Sequence, residues 1–201
     1  MTIRAVLWDF GDTLADERWM HAPLEGSPDW PEAYRALHAK GLAEPWDLGE
    51  ITTQDIAAAL AAGLGLAPRV VLSHMQACCE SVALYPRMMA LVARCALPQA
   101  IVTINPDIFT KIVVPTYGLS GRFAAIVTSW QEKTLSKADL CDVAIRRLGV
   151  SLDPAECLLI DNKTDNVDEW RARGGAAYHF ETEQRFFEEP VGFWDQTPSP
   201  C

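Results

Sequence analysis

Ala5-Val6-Leu7-Trp8-Asp9-Phe10-Gly11-Asp12-Thr13-Leu14 is an apolar run of strand length that stops at a carboxylate and then turns. Burying an unpaired charge is costly, so packing does not explain Asp9 at the end of a buried strand. Gly11-Asp12-Thr13 supplies the turn directly after it. In open α/β sheets the carboxyl ends of the strands are also where ligands bind. The position marks Asp9 as a nucleophile or a metal ligand, and the rest of the chain has to separate the two.

Outward from this segment the texture changes twice. The first strand is expected over 3–8. Residues 16–84 then hold Pro23, Pro28, Pro31 and Pro45, many alanines and no convincing strand. Pro31-Glu32 looks like a helix start, stopped by Gly41; helices are also expected over 56–62, closed by Gly63, and from Pro68 to about 82. Ile56, Leu60 and Leu64 recur every fourth residue, the stripe of a helix that buries one face. From 85 onward short apolar runs alternate with amphipathic stretches. Strands are expected over 100–103, 124–128, 157–160 and 176–180, and helices over 88–96, 107–117, 137–148 and 165–173. That alternation predicts an α/β fold: a Rossmann-like three-layer core with a mostly parallel sheet, residues 1–15 and 85–201, interrupted by a small all-helical cap, residues 16–84. The tail from Pro190 is rich in Pro, Trp and polar residues and is expected to be irregular.

Composition narrows the function classes. The 201 residues carry 17 Lys and Arg against 27 Asp and Glu, a formal charge of −10. Phosphate backbones are bound mainly by clustered Lys and Arg, so no nucleic-acid partner is expected. An anionic small molecule would need local positive charge or a metal. No apolar run approaches the ~20 residues that span a bilayer, and the start shows no signal peptide pattern, so neither a membrane role nor secretion is expected. The six cysteines form no CxxC pair and the four histidines are scattered, which argues against zinc and for buried thiols in a reducing cytoplasm. Phe193-Trp194 is a candidate docking surface, with a homodimer as one expectation.

Three expected strands end in polar residues: the first in Asp9, Asp12 and Thr13, the second in Thr103 and Asn105, a later one in Asp161, Asn162, Asp165 and Asn166. Parallel strands bring their carboxyl ends to one edge of the sheet. Carboxylates, a hydroxyl and a lysine would meet there, a plausible hard-cation site beside a carboxylate nucleophile. Each residue also has a plainer reading. Asp9 would cap a loop, Thr103 end a strand, Lys137 decorate a helix start, and Asp161 serve as a helix N-cap.

In this arrangement the chain resembles the haloacid dehalogenase superfamily. Residues 8–14 are similar to its first motif, Val102-Thr103-Ile104-Asn105 to its second, Lys137 ahead of Arg146-Arg147-Leu148-Gly149 to its third, and residues 159–167 to its fourth. The helical insertion stands where that family has its mobile cap. The resemblance implies a hydrolase working by double displacement. Asp9 would form a covalent intermediate that water cleaves, Thr103 would donate to the transferring group, and Lys137, with Lys133 as the lesser candidate, would offset negative charge. Asn105 and Arg35 are candidate substrate contacts. In phosphatase members Mg²⁺ is held by the nucleophile, the carbonyl two residues on and a fourth-motif carboxylate; here those are Asp9, Gly11 and Asp161, with Asn162 beside it.

Two departures bear on the choice of chemistry. The family's phosphatases usually carry an acid/base Asp where this chain has Gly11, with Asp12 one residue late, and Asn162 replaces a second acidic residue. The leading expectation is a Mg²⁺-dependent phosphatase of a small phosphorylated metabolite, with Asp12 as a candidate acid/base. The alternatives are a metal-independent 2-haloacid dehalogenase, in which Arg35 or Arg18 would receive the halide, and a catalytically degenerate binding protein.

Overall fold

The computed structural model describes residues 2–188, so Phe193-Trp194 lies outside the described residues. Five strands form a parallel sheet: β1 (Ala5–Trp8), β2 (Gln99–Thr103), β3 (Ala125–Thr128), β4 (Cys157–Asp161) and β5 (Ala176–His179), in the order β3-β2-β1-β4-β5. β1 is central, and Trp8 pairs with Ile101 on one side and Ile160 on the other. One residue further on, Asp9 leaves the sheet between Val102 and Asp161.

The strands read as continuous apolar runs because both faces are covered. Val6, Trp8, Ile101, Leu158 and Ile160 belong to one buried cluster, and Ala5, Leu7, Ala100, Val102 and Leu159 to another. The second cluster is closed by Ala138, Leu140, Cys141 and Ala144 of α8 (Lys137–Arg147) and by Trp170 of α9 (Thr164–Ala172). Gly175, in the turn into β5, has no room for a side chain, since a Cβ there would lie 2.0 Å from the Trp170 ring.

The first cluster continues from the sheet through Phe10 and Phe109 into the helices that follow β1. These are α1 (Trp30–Ala39), α2 (Ala43–Asp47), α3 (Thr53–Leu64) and α4 (Pro68–Glu80), preceded by a short 3-10 turn at Glu17–His21. Sequence dictates where they begin and end. Thr52 and Asp55 form a reciprocal capping box at the start of α3, and Gly65 closes it at φ 67°. Trp30, Leu37, Trp46, Ile56, Leu60, Val71 and Met75 face the cluster. Between the end of β1 and α5 (Pro86–Arg94) the chain leaves and returns side by side. Asp16 N–H donates to Ala83 O at 3.0 Å and Tyr85 N–H to Leu14 O at 2.8 Å. Among the described residues the insertion contains no strand, only isolated bridges at Leu24–Ser27 and, where the chain returns, Ala15–Leu84.

Four elements depart from the sequence expectation, among them α2, where the sequence predicts no helix. The helix expected over 107–117 is present over 107–116, but its middle turn, Phe109–Val113, is widened ahead of α6 (Val114–Thr116), with the Val114 N–H donating five residues back to Phe109 O. Pro115 lies in this stretch and has no N–H for an ordinary helical bond. α7 (Ser129–Glu132) and α10 (Glu183–Glu188) are short helices that hydrophobic periodicity does not reveal. Cys78, Cys79, Cys95, Cys141 and Cys157 are free thiols. Among the described residues no single helix is long and apolar enough to cross a membrane.

Candidate active site

Lys137 organises the carboxyl edge of the sheet. It is the first residue of α8, fully buried, and its ammonium donates to Asp9 Oδ1 at 2.8 Å and to Val102 O at 2.9 Å, with Asp161 Oδ2 also at 2.8 Å. A helix start is a mobile place for a buried cation unless something fixes it. Here Glu169 of α9 accepts from the Lys137 backbone N–H at 2.9 Å and from the Ser136 hydroxyl. Lys133 does not share this role. It ends α7 in a left-handed conformation, φ 58°, and its ammonium bonds Gly49 O in the insertion at 2.9 Å.

Asp161 is saturated. Its Oδ1 accepts from Lys163 N–H at 2.8 Å and Asn166 Nδ2 at 3.0 Å, and its Oδ2 accepts from Asn166 Nδ2 at 3.0 Å while facing Lys137. An ionised carboxylate has about four acceptor directions, all taken here. Asp161, expected from the sequence as a metal ligand, here anchors Lys137 with both of its oxygens engaged. Burial pushes the Asp9 carboxyl up, Lys137 opposes that and Asp161 adds to it, leaving Asp9 at about 6. Burial works against the Lys137 charge, but the two carboxylates outweigh it and hold the ammonium above its ordinary range.

A cavity of about 20 Å³ sits over Asp9, lined among others by Gly11, Glu17, Thr103, Asn105, Lys163 and Asn166. Thr103 Oγ1 accepts from Asn105 Nδ2 at 2.8 Å, which leaves the hydroxyl proton to donate elsewhere. Asn105 is in turn fixed by its N–H donating to Ser129 Oγ at 3.0 Å. Gly11, Glu17, Ile104, Asn105 and Lys163 also line a larger cavity of about 400 Å³, to which the insertion contributes Arg18, Trp19, Arg35, Trp46 and Asp47. Burial pushes Asp47 up to about 7 despite Lys163, with Glu17 adding to the rise. Arg35 lies in this outer cavity, its Nε donating to Pro31 O at 3.1 Å, and does not line the cavity over Asp9.

Asp12 is turned away. Its backbone is left-handed, φ 50°, and its Oδ1 accepts from Glu17 N–H at 2.9 Å. Asp12, the acid/base candidate of the sequence, lines the outer cavity and a separate, more open depression of about 720 Å³ but not the cavity over Asp9. The reason is local: after a Gly, the αL turn points the Asp side chain toward the Glu17 N–H at the start of the 3-10 turn. Glu17 and Lys163 are the residues that sequence reasoning missed. Glu17 comes from a 3-10 turn without hydrophobic period, and Lys163 stands inside the fourth polar segment, masked by the acids around it.

Among the described residues no cluster of three or more His, Cys, Asp or Glu side chains could hold a metal. The oxygen donors at the site do suit a hard cation of low demand. Asp9 uses Oδ1 for Lys137 and the Gly11 carbonyl follows it; Asn162 Oδ1 is buried with no hydrogen-bond partner, but Asn162 lines the open depression beside Asp12 and not the cavity over Asp9. Mg²⁺ is commonly held by one or two carboxylates together with substrate phosphate and water, and this donor set fits that pattern.

No family model and no curated protein matches the sequence. Solved structures match the fold. A HAD family enzyme of Bacteroides thetaiotaomicron, in complex with magnesium and inorganic phosphate, superposes with a TM-score of 0.69 at 18% identity, over 90% of this chain and 96% of that one. An L-2-haloacid dehalogenase of Xanthobacter autotrophicus with chloropropionic acid covalently bound gives 0.68 at 21% identity, over 99% and 85%. A HAD-like family hydrolase of Porphyromonas gingivalis gives 0.68 at 17%, over 94% and 100%. The chain has the haloacid dehalogenase-like fold, as its four motifs led one to expect.

Proposed function

We propose that the protein is a haloacid dehalogenase-like hydrolase that cleaves a small phosphomonoester, with Asp9 accepting the phosphoryl group. The observation that carries this reading is the pairing of Asp9 with two lysines, Lys137 bonded to it from behind and Lys163 lining the same small cavity. A carboxylate attacks a phosphate dianion only if the repulsion between them is offset, and two ammonium groups do that. Asp9 forms the P–O bond, Thr103 donates to a phosphoryl oxygen, and water afterwards cleaves the aspartyl phosphate. Asp9, the Gly11 carbonyl and an oxygen of the Asp161-Asn162 turn are the groups that would hold Mg²⁺, which would supply further charge neutralisation. Residues 16–84 act as a cap that sets substrate choice, since Arg18, Arg35, Trp46 and Asp47 line the outer cavity.

A second reading, halide displacement from a 2-haloacid, is favoured by the saturation of Asp161, which leaves a weakly charged metal site. Halide needs no proton to leave. Assay with 4-nitrophenyl phosphate, with and without Mg²⁺, and with 2-chloropropionate separates the readings. Phosphate release that disappears in Asp9→Asn is the expected result. Chloride release without phosphate release selects the second reading, and neither product leaves a ligand-binding protein.

A further inference from the structure

An alkoxide is a poor leaving group, so a phosphomonoesterase needs a proton donor on the side of the phosphorus away from Asp9, and the usual candidates at this site are spent. Asp161 is fully hydrogen-bonded, Lys137 is locked between carboxylates, and Asp12 is folded back onto the Glu17 N–H. Thr103 and the two asparagines do not exchange protons at working pH. Of the residues lining the cavity over Asp9, the remaining carboxyl is that of Glu17.

Its position is specific. Gly11 leaves a gap over the nucleophile's turn, and Glu17 fills it: a Cβ built on Gly11 would meet Glu17 Cδ at 3.3 Å, Cγ at 3.4 Å and Cβ at 3.6 Å. The Glu17 side chain therefore occupies the place that a side chain at 11 would take. Among the described residues its carboxylate has no hydrogen-bond or ion-pair partner, whereas its own N–H is held by Asp12. The backbone is fixed and the acid is left available. Glu17 also lines the outer cavity, on the path by which substrate reaches Asp9.

We infer that Glu17 is the general acid and base of this site, standing in from the insertion for a side chain that Gly11 lacks. The inference rests on the phosphomonoesterase reading above. As Asp9 bonds to phosphorus and the P–O bond to the alcohol breaks, the electron pair goes to the alcohol oxygen, which takes the Glu17 proton and leaves. The Glu17 carboxylate then takes a proton from water as the water oxygen bonds to phosphorus. The P–O bond to Asp9 breaks, its electron pair returns to Asp9, and Glu17 is protonated again.

The test compares Glu17→Gln with wild type on an alkyl phosphate and on 4-nitrophenyl phosphate, whose leaving group needs little protonation. Loss of general acid catalysis is typically about 10²–10⁴-fold, and that loss in kcat/KM is expected for the alkyl ester, against a loss of less than about tenfold for the aryl ester. The aryl ester should in addition show a burst of nitrophenolate followed by slow turnover, because hydrolysis of the aspartyl phosphate now lacks its base. Gly11 is not in a left-handed conformation, so a carboxyl can be moved there. Gly11→Asp combined with Glu17→Ala should restore alkyl phosphate turnover at least tenfold over Glu17→Ala alone. Equal losses on both esters without a burst, or no loss on either, overturn the assignment. Wild type that releases phosphate from neither ester overturns the underlying reading instead, and the two failures are told apart by that control.

Discussion

Replacing Lys137 with Met removes a buried cation of nearly the same shape and leaves Asp9 and Asp161 facing each other. The two carboxylate oxygens that Lys137 bridges are each 2.8 Å from Nζ, so they lie no further apart than twice that length. At an effective dielectric constant of about 20 their repulsion comes to roughly 3 kcal/mol. Breaking a buried ion pair by deleting one partner typically costs about 3–5 kcal/mol, in agreement. For a chain of this size each kcal/mol lowers Tm by about 2–4 °C, so Lys137→Met is expected to melt roughly 6–20 °C below wild type at pH 7. The deficit should also depend on pH in a definite sense. Without Lys137 the folded-state Asp9 carboxyl, already raised by burial, rises further above its unfolded value of about 3.9, so the native variant takes up protons on folding as pH falls. Its stability is lost as pH rises through that window, and the gap to wild type narrows from pH 8 to pH 5. Thermal melts followed by circular dichroism at several pH values measure both effects, and Lys137→Met with Asp161→Asn should recover part of the loss. An unchanged Tm, or a deficit that does not move with pH, would refute the view that Lys137 neutralises two buried carboxylates.

Asp9 at about 6 must be ionised to act as nucleophile, so kcat/KM is expected to fall tenfold per unit below about pH 6, whereas an ordinary carboxylate would put that limb near pH 4; a pH–rate profile on the aryl ester reads it. Asp107 ties the insertion to the core, accepting from Thr53 Oγ1 at 2.5 Å, Trp46 Nε1 at 3.2 Å and Lys111 Nζ at 2.6 Å. Asp107→Ala strands the buried Thr53 hydroxyl and N–H, while Trp46 Nε1 keeps Thr53 Oγ1, and is expected to cost about 1–3 kcal/mol for each group left unpaired, seen as a lower denaturant midpoint.

The parts of the site legible in sequence are those fixed by strand ends. Asp9, Thr103 and Asp161 follow apolar runs in a parallel sheet, and parallel pairing alone brings them to one edge. Lys137 was legible by its place at the head of an amphipathic helix, although only the register of α8 against β2 and β3 separates it from Lys133. Glu17 and Asp12 were not legible, because one left-handed residue exchanges which of the two acids faces Asp9. No periodicity records a single positive φ. The wide turn at Phe109–Val113 was hidden for a related reason, since its apolar residues read as helix until Pro115 removes a donor. Asp47 owes its raised pKa to tertiary burial, which the Ala43–Asp47 segment does not advertise.

The paired exit and return of the chain at Ala15 and Leu84 has a consequence for engineering. Because the two ends touch, excising the intervening helices would leave a gap that a tight two-residue link could close, and another segment could be spliced in without lengthening the path. The shared apolar seam sets the opposite condition. Any graft must bring its own large side chains to seat against Trp8, Phe10 and Phe109, or the truncated sheet will present an oily face to water and aggregate.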